Sequence, residues 1–200
     1  MTARLRLAEP ADGAALAAIY RPAVADSAVS FELEPPDGAE MARRVARVLA
    51  RTPWLVCEGA GGVVGYAYAG PHRDRPAYQW SVEVSAYVRD DARRAGVARA
   101  LYASLCALLA AQGFRTAYAG VTLPNAASEG LHAALGFAPV GVYRGVGYKR
   151  GAWHDVAWFA RPLAPRAPEP PPPVPLPALA ETAARDAVAA GLSLLRPPVA

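Results

Sequence analysis

Two hundred residues suit one domain with a substantial core and room for a tail. The formal charge of +4 comes from 20 Arg and one Lys, Lys149, against 17 acids, with the arginines scattered; this fits a small anionic ligand and argues against a nucleic-acid surface. Cys57 and Cys106 lie in apolar stretches without metal-ligand spacing, and neither a charged-then-apolar leader nor a membrane-length apolar run is present, so no metal, no membrane and a cytoplasmic location are expected.

Alternation in "RLRLA" predicts a first strand at Arg4 to Ala8, and the following segment changes to a helical period with Leu16, Ile19 and Tyr20 on one stripe. "AEMARRVARVLAR" predicts a second helix with Met41, Val45 and Val48 as its apolar side. "PWLVCEG" and "VVGYAYAG" read as a hairpin about the turn at 59 to 62. "YQWSVEVSAYV" reads as one long strand: Trp80, Val82, Val84, Ala86 and Val88 make an apolar face, and Gln79, Ser81, Glu83, Ser85 and Tyr87 a polar one. Val97, Leu101, Leu105, Leu108 and Leu109 then recur at helical spacing up to a stop at Gly113. A strand, a short helix opened by Pro124 and Asn125, and two final strands complete the order β-α-α-β-β-β-α-β-α-β-β. This is an α/β domain with a mixed sheet, not a doubly wound parallel one.

The domain is expected to span 1–163. Residues 164–177, "APRAPEPPPPVPLP", lack the donors to join a sheet and read as a polyproline II or disordered linker. Residues 178–200 form a tail in which one weakly amphipathic helix is possible, expected either to pack on the domain or to dangle.

Arg93 and Arg94 sit just before the first turn of a helix, where the dipole already carries its positive end. An anion would resolve that cost. Arg93, Arg94, Ala95, Gly96, Val97 and Ala98 form a strand-to-helix turn whose free N–H groups point one way, with Gly96 and Ala98 small enough to let a phosphate approach. Neither a Walker loop nor a dinucleotide fingerprint is present.

With that loop, the segments "PWLVCEGAGGVVGYAYAGP", "AYQWSVEVSAYV", "LPNAASEGLHAALGF" and "GYKRGAWHDV" resemble the GNAT superfamily, and within it the phosphinothricin and methionine sulfoximine N-acetyltransferases, over about residues 3 to 162. The resemblance implies a GNAT fold: a mostly antiparallel sheet of six to seven strands with about four helices. It implies acetyl-CoA as co-substrate, a small-molecule amine acceptor and a homodimer. Arg93 to Ala98 would hold the pyrophosphate, and Ala86, Tyr87 and Val88 would pair with the pantetheine arm in a cleft where two strands part. Asn125 and Ser128 would reach the same arm; as a residue, Asn125 reads equally as a helix N-cap.

Acetyl transfer to an amine requires a base for the ammonium and a proton for the leaving thiolate. The resemblance puts the catalytic carboxylate at Glu83 and a histidine, His132, where many relatives carry an acidic tyrosine; His132 reads as acid, base or an orienting group. Tyr102 reads as core or cofactor-lining. Positive donors for a substrate carboxylate are Arg73, Arg75 and Lys149, with Tyr78 beside Arg75. Phe31 resembles an aromatic wall of the family's substrate site, and Glu32 follows it where phosphinothricin-specific relatives often carry Arg. Direct attack in a ternary complex on the acetyl thioester is the expected reaction. An aminoglycoside or peptide N-terminus as acceptor, or a non-catalytic acyl-CoA sensor, are the alternatives.

Overall fold

The computed structural model describes residues 3–196. Its strands are β1 (Arg4–Leu7), β2 (Trp54–Gly59), β3 (Gly62–Pro71), β4 (Ser81–Val88), β5 (Thr116–Thr122), β6 (Ala138–Lys149) and β7 (Ala152–Pro162). The helices are α1 (Gly13–Ala25), α2 (Gly38–Leu49), α3 (Val97–Gln112), α4 (Ala126–Ala134) and α5 (Glu181–Ala189). The seven strands form one sheet in the order β1-β2-β3-β4-β5-β7-β6, antiparallel except for the β4–β5 pair. This is the mixed sheet and element order expected from the sequence, with a fifth helix added from the tail.

Two apolar layers sandwich the sheet. On one face Val97, Leu101, Leu105, Leu108 and Leu109 of α3, all buried, pack on Leu55, Ala67, Val82, Val84 and Ala117. The other face carries Leu16 and Tyr20 of α1 and Met41 and Val45 of α2 against Trp54, Val56 and Tyr66. Tyr87, expected on a polar face, is part of this second layer, edge-on to Tyr20 at 4.7 Å. Strand β4 begins at Ser81, later than its alternation predicts, because Pro76–Tyr78 forms a 3₁₀ turn. Pro76 sets φ for that turn and lacks the N–H that a ladder needs.

The tail does not dangle. Trp80 Nε1 donates to the Pro171 carbonyl at 2.9 Å, Leu176 N–H to the Arg51 carbonyl at 3.0 Å, and Val174 exchanges bonds with Gln112. Leu176 and Ala187 are buried in the α3 layer, with α5 packed along α3 and beside β1. The segment read as a linker is therefore tied to the domain along its second half, from Pro171 to Leu176. Residues 197–200 of the expected tail lie outside the described residues.

Candidate active site

Strands β4 and β5 pair only at Ser81–Thr116, Val82–Ala117 and Glu83–Tyr118. Beyond Glu83, β4 stays bonded to β3 as far as Val88 and β5 stays bonded to β7 as far as Thr122, so the two part from each other. The β5-facing edge of β4, including Ala86, Tyr87 and Val88, is left without a strand partner. Such an edge is a template for an added extended chain.

At the wide end of this cleft the chain passes through a 3₁₀ turn, Asp90–Ala92, into α3. Arg94 and Gly96 both adopt left-handed backbone, φ 64° and 80°. That geometry aims successive N–H groups together, and no side chain caps the helix at Gly96. Arg93 and Arg94 are exposed, with Arg93 paired to Asp90 at 2.6 Å. Val97 turns its side chain into the core.

A cavity of about 60 Å³ occupies the fork, lined by Val84, Ser85, Ala86, Gly120 and Val121 of the two strands and by Tyr102, Asn125, Ser128 and His132. Asn125 caps α4, its Oδ1 accepting from Ser128 N–H at 3.1 Å, and still reaches this cavity. His132 is 5% exposed. Its Nδ1 lies 2.7 Å from the Ser128 carbonyl, which can only accept, so Nδ1 carries a proton. Burial pushes the imidazole below its ordinary pKa, and in the neutral ring Nε2 then accepts from the Tyr102 hydroxyl at 3.2 Å. Stacking on Phe159 and an edge contact with Phe137 fix the ring's orientation.

Val29, Gly120 and Thr122 are shared with a wider, mostly apolar chamber of about 360 Å³, whose remaining walls are Phe31, Tyr143, Val146, Val156 and Trp158. On β5, Tyr118, Gly120 and Thr122 share one face, so Tyr118 lies next along that face from Gly120. His72 stacks on Tyr118 at 4.3 Å and its Nδ1–H donates to Glu83 Oε1 at 3.0 Å. Arg73 donates to the same oxygen at 3.0 Å and lies 5.8 Å over Trp158. Glu83 Oε2 has no partner among the described residues. The Glu83 cluster thus abuts, through Arg73 over Trp158, the chamber that Phe31 lines, and that chamber shares Val29, Gly120 and Thr122 with the fork holding His132.

Three expected substrate contacts lie elsewhere. Arg75 and Tyr78 border a separate groove with Arg51, Thr52 and Phe114, to which the Pro76 turn carries them; Arg73 lines it too, and Tyr78 keeps an edge contact with His72 at 6.0 Å. Lys149 is buried, its ammonium donating to the carbonyls of Val24 and Ser30, each at 2.7 Å. It ties α1 to the loop bearing Phe31 and does not face the chamber. Lys149→Met is expected to cost about 1–3 kcal/mol by leaving two buried carbonyls unpaired, read as a lower urea midpoint with the slope unchanged.

His72 and the pairing of Tyr102 with His132 were not anticipated. The register was the available signal for His72: Gly70 opposes Glu83, which brings the residue just after β3 alongside β4. Tyr102 and His132 sit on different helices thirty residues apart, and no local pattern joins them.

Residues 5–158 match the family described as acetyltransferase (GNAT) domain. The chain is 42% identical over 170 residues to phosphinothricin N-acetyltransferase of Streptomyces viridochromogenes, covering 83% of this chain and 93% of the relative. It is 38% identical to the L-methionine sulfoximine/L-methionine sulfone acetyltransferase of Pseudomonas paraeruginosa, covering 82% and 97%. Among solved structures, the phosphinothricin acetyltransferase of Sinorhizobium meliloti in complex with acetyl-CoA superposes with a TM-score of 0.81 at 38% identity, over 90% of this chain and 98% of that one.

Proposed function

Since the chain belongs to the GNAT acetyltransferase family, an acetyl-CoA-dependent N-acetyltransferase acting on a small amino-acid analogue, we propose that its acceptor is the α-amino group of a compact zwitterion of the methionine sulfoximine or phosphinothricin type. The observation that carries this reading is the apolar chamber, flanked at Trp158 by the Arg73–Glu83 pair and sharing Gly120 with the strand fork. In it, the pantetheine arm extends β4 along Ala86 to Val88, Arg93 to Ala98 take the pyrophosphate on free N–H groups, and the thioester lies in the fork. Glu83 Oε2 takes the ammonium proton, directly or through one water, and the amine attacks the thioester carbonyl without an acyl-enzyme. His132 holds the Tyr102 hydroxyl at the fork by accepting from it, and as the thiolate departs that hydroxyl turns its single proton from His132 Nε2 to the sulfur.

Glu32 does not oppose an anionic substrate. Arg44 grips its carboxylate at 2.7 and 3.0 Å and Tyr20 donates at 3.0 Å, which holds it below the usual carboxylate range. The charge that the residue type brings is neutralised within its own network. Walls of valine and aromatic side chains suit the methyl and methylene groups of methionine sulfoximine. The test is thiol release from acetyl-CoA with methionine sulfoximine, phosphinothricin, an aminoglycoside and a peptide amine: the first two are expected to give the highest kcat/KM, and a preference for the aminoglycoside overturns the assignment.

A homodimer is part of this reading. It is supported by β6, the outer strand of the sheet, which is exposed along its length except at Gly147 and Lys149. Val140, Tyr143, Val146 and Tyr148, with Trp153 on β7, present large apolar side chains there. Among the described residues no helix is long and apolar enough to cross a membrane.

A further inference from the structure

We propose that the C-terminal segment 176–196 is a positioning element for acetyl-CoA: its docking along α3 holds the phosphate loop in its binding conformation. The inference rests on the phosphate-loop reading above and goes beyond it, since it couples that loop to a part of the chain outside the matched family region. The contacts are specific. Ser104, fully buried on α3, donates its hydroxyl to the Val188 carbonyl at 2.7 Å and accepts from Gly191 N–H at 3.0 Å. Gly191 lies so close to α3 that a Cβ there would stand 2.0 Å from the Ala100 carbonyl. The tail then turns over the N-terminus of α3, where Arg196 N–H donates to the Ala95 carbonyl at 3.0 Å. The Leu194 carbonyl sits 2.0 Å from where a Cβ on Gly96 would be.

Two properties of the loop make these contacts consequential. Arg94 and Gly96 both hold positive φ, and Arg94 is not a glycine, so its left-handed backbone is disfavoured unless neighbours hold it. The bonded carbonyl belongs to Ala95, the residue between them. In addition, the tail engages a carbonyl and a Cα and, among the described residues, accepts no bond from an N–H of residues 94–99. These N–H groups are left without a bond to the tail, while the backbone carrying them is held at the Ala95 carbonyl. Any ligand that prefers the docked state must in turn stabilise docking.

The experiment uses full-length protein and coenzyme A. Gly191→Val keeps an allowed backbone, since Gly191 has φ −90°, but places its side chain into the Ala100 carbonyl. It and Ser104→Ala are expected to weaken coenzyme A binding in calorimetry, and to raise the KM for acetyl-CoA, by about tenfold, with kcat little changed. Ala98→Glu, which brings a carboxylate to the loop itself, is expected to abolish binding. In the wild type, saturating coenzyme A is expected to slow amide exchange of residues 188–196, a measurement independent of any variant's folding. A Gly191→Val protein that melts lower but binds coenzyme A with wild-type affinity overturns the coupling, as does tighter binding or unchanged exchange. Normal binding by Ala98→Glu removes the loop reading and the coupling together; loss in Ala98→Glu with none in Gly191→Val removes the coupling alone.

Discussion

Glu83→Gln is expected to lower kcat by a factor of about 10²–10⁴ while leaving the affinity for coenzyme A unchanged. The amide keeps the size of the side chain and a carbonyl oxygen for Arg73 and His72, which both meet Glu83 Oε1 at 3.0 Å in the wild type. What it loses is the proton acceptor at the unpartnered second oxygen. A substrate ammonium at neutral pH must be deprotonated before it can attack, and Glu83 is the carboxylate tied to the chamber wall, through Arg73 over Trp158. Steady-state kinetics with methionine sulfoximine, together with calorimetry for coenzyme A, separate the two effects. If Glu83 served only to pin Arg73, the variant would melt lower and keep its rate per folded molecule.

Gly120→Leu is expected to reduce kcat/KM for the amine by about 10² or more, since a reacting group displaced by an ångström already loses that much. Gly120, with Val29 and Thr122, is shared by the apolar chamber proposed for the acceptor and the fork proposed for the thioester. A Cβ at this position finds only ordinary contacts, Val156 at 3.4 Å and Trp158 at 3.5 Å, so the larger side chain enters without breaking the strand. The rest of the leucine then fills the passage between the amine and the acetyl group. A melting temperature close to wild type with activity largely lost is the expected pattern. Unchanged turnover with methionine sulfoximine would show that the amine reaches the thioester by another route.

Elements with a strong period were legible from residue order alone. The 3.6-residue spacing of α3, the alternation in β4 and the Arg-rich turn between them locate the strand-to-helix turn proposed as the phosphate loop, because each reports a local backbone geometry. Contacts that depend on distant segments were not. Lys149 reads as a solvated charge at a strand end, and its burial follows only once the loop after α1 closes over it. Arg75 and Glu83 are eight residues apart in what looks like one polar face, yet the Pro76 turn sends the arginine to a different groove. The proline-rich run was judged on its missing donors. Its carbonyls, and the few N–H groups between its prolines, are what dock. A partial signal lay on α3: Ala100, Ser104 and Gln112 stand on a side that an uncovered helix would fill with charge.

Eight of the fourteen residues from 164 to 177 are proline. A chain with φ already restricted samples few shapes when released, so it surrenders little disorder on returning to the surface, whereas an ordinary segment gives up about 1–2 kcal/mol per residue. Pinned at Pro171, Val174 and Leu176, the run delivers α5 beside α3 and keeps its local concentration high. Modest contacts at Ser104, Gly191 and Arg196 are then sufficient for long residence. Replacing these prolines with glycine and serine would loosen the association without altering a single residue at the groove.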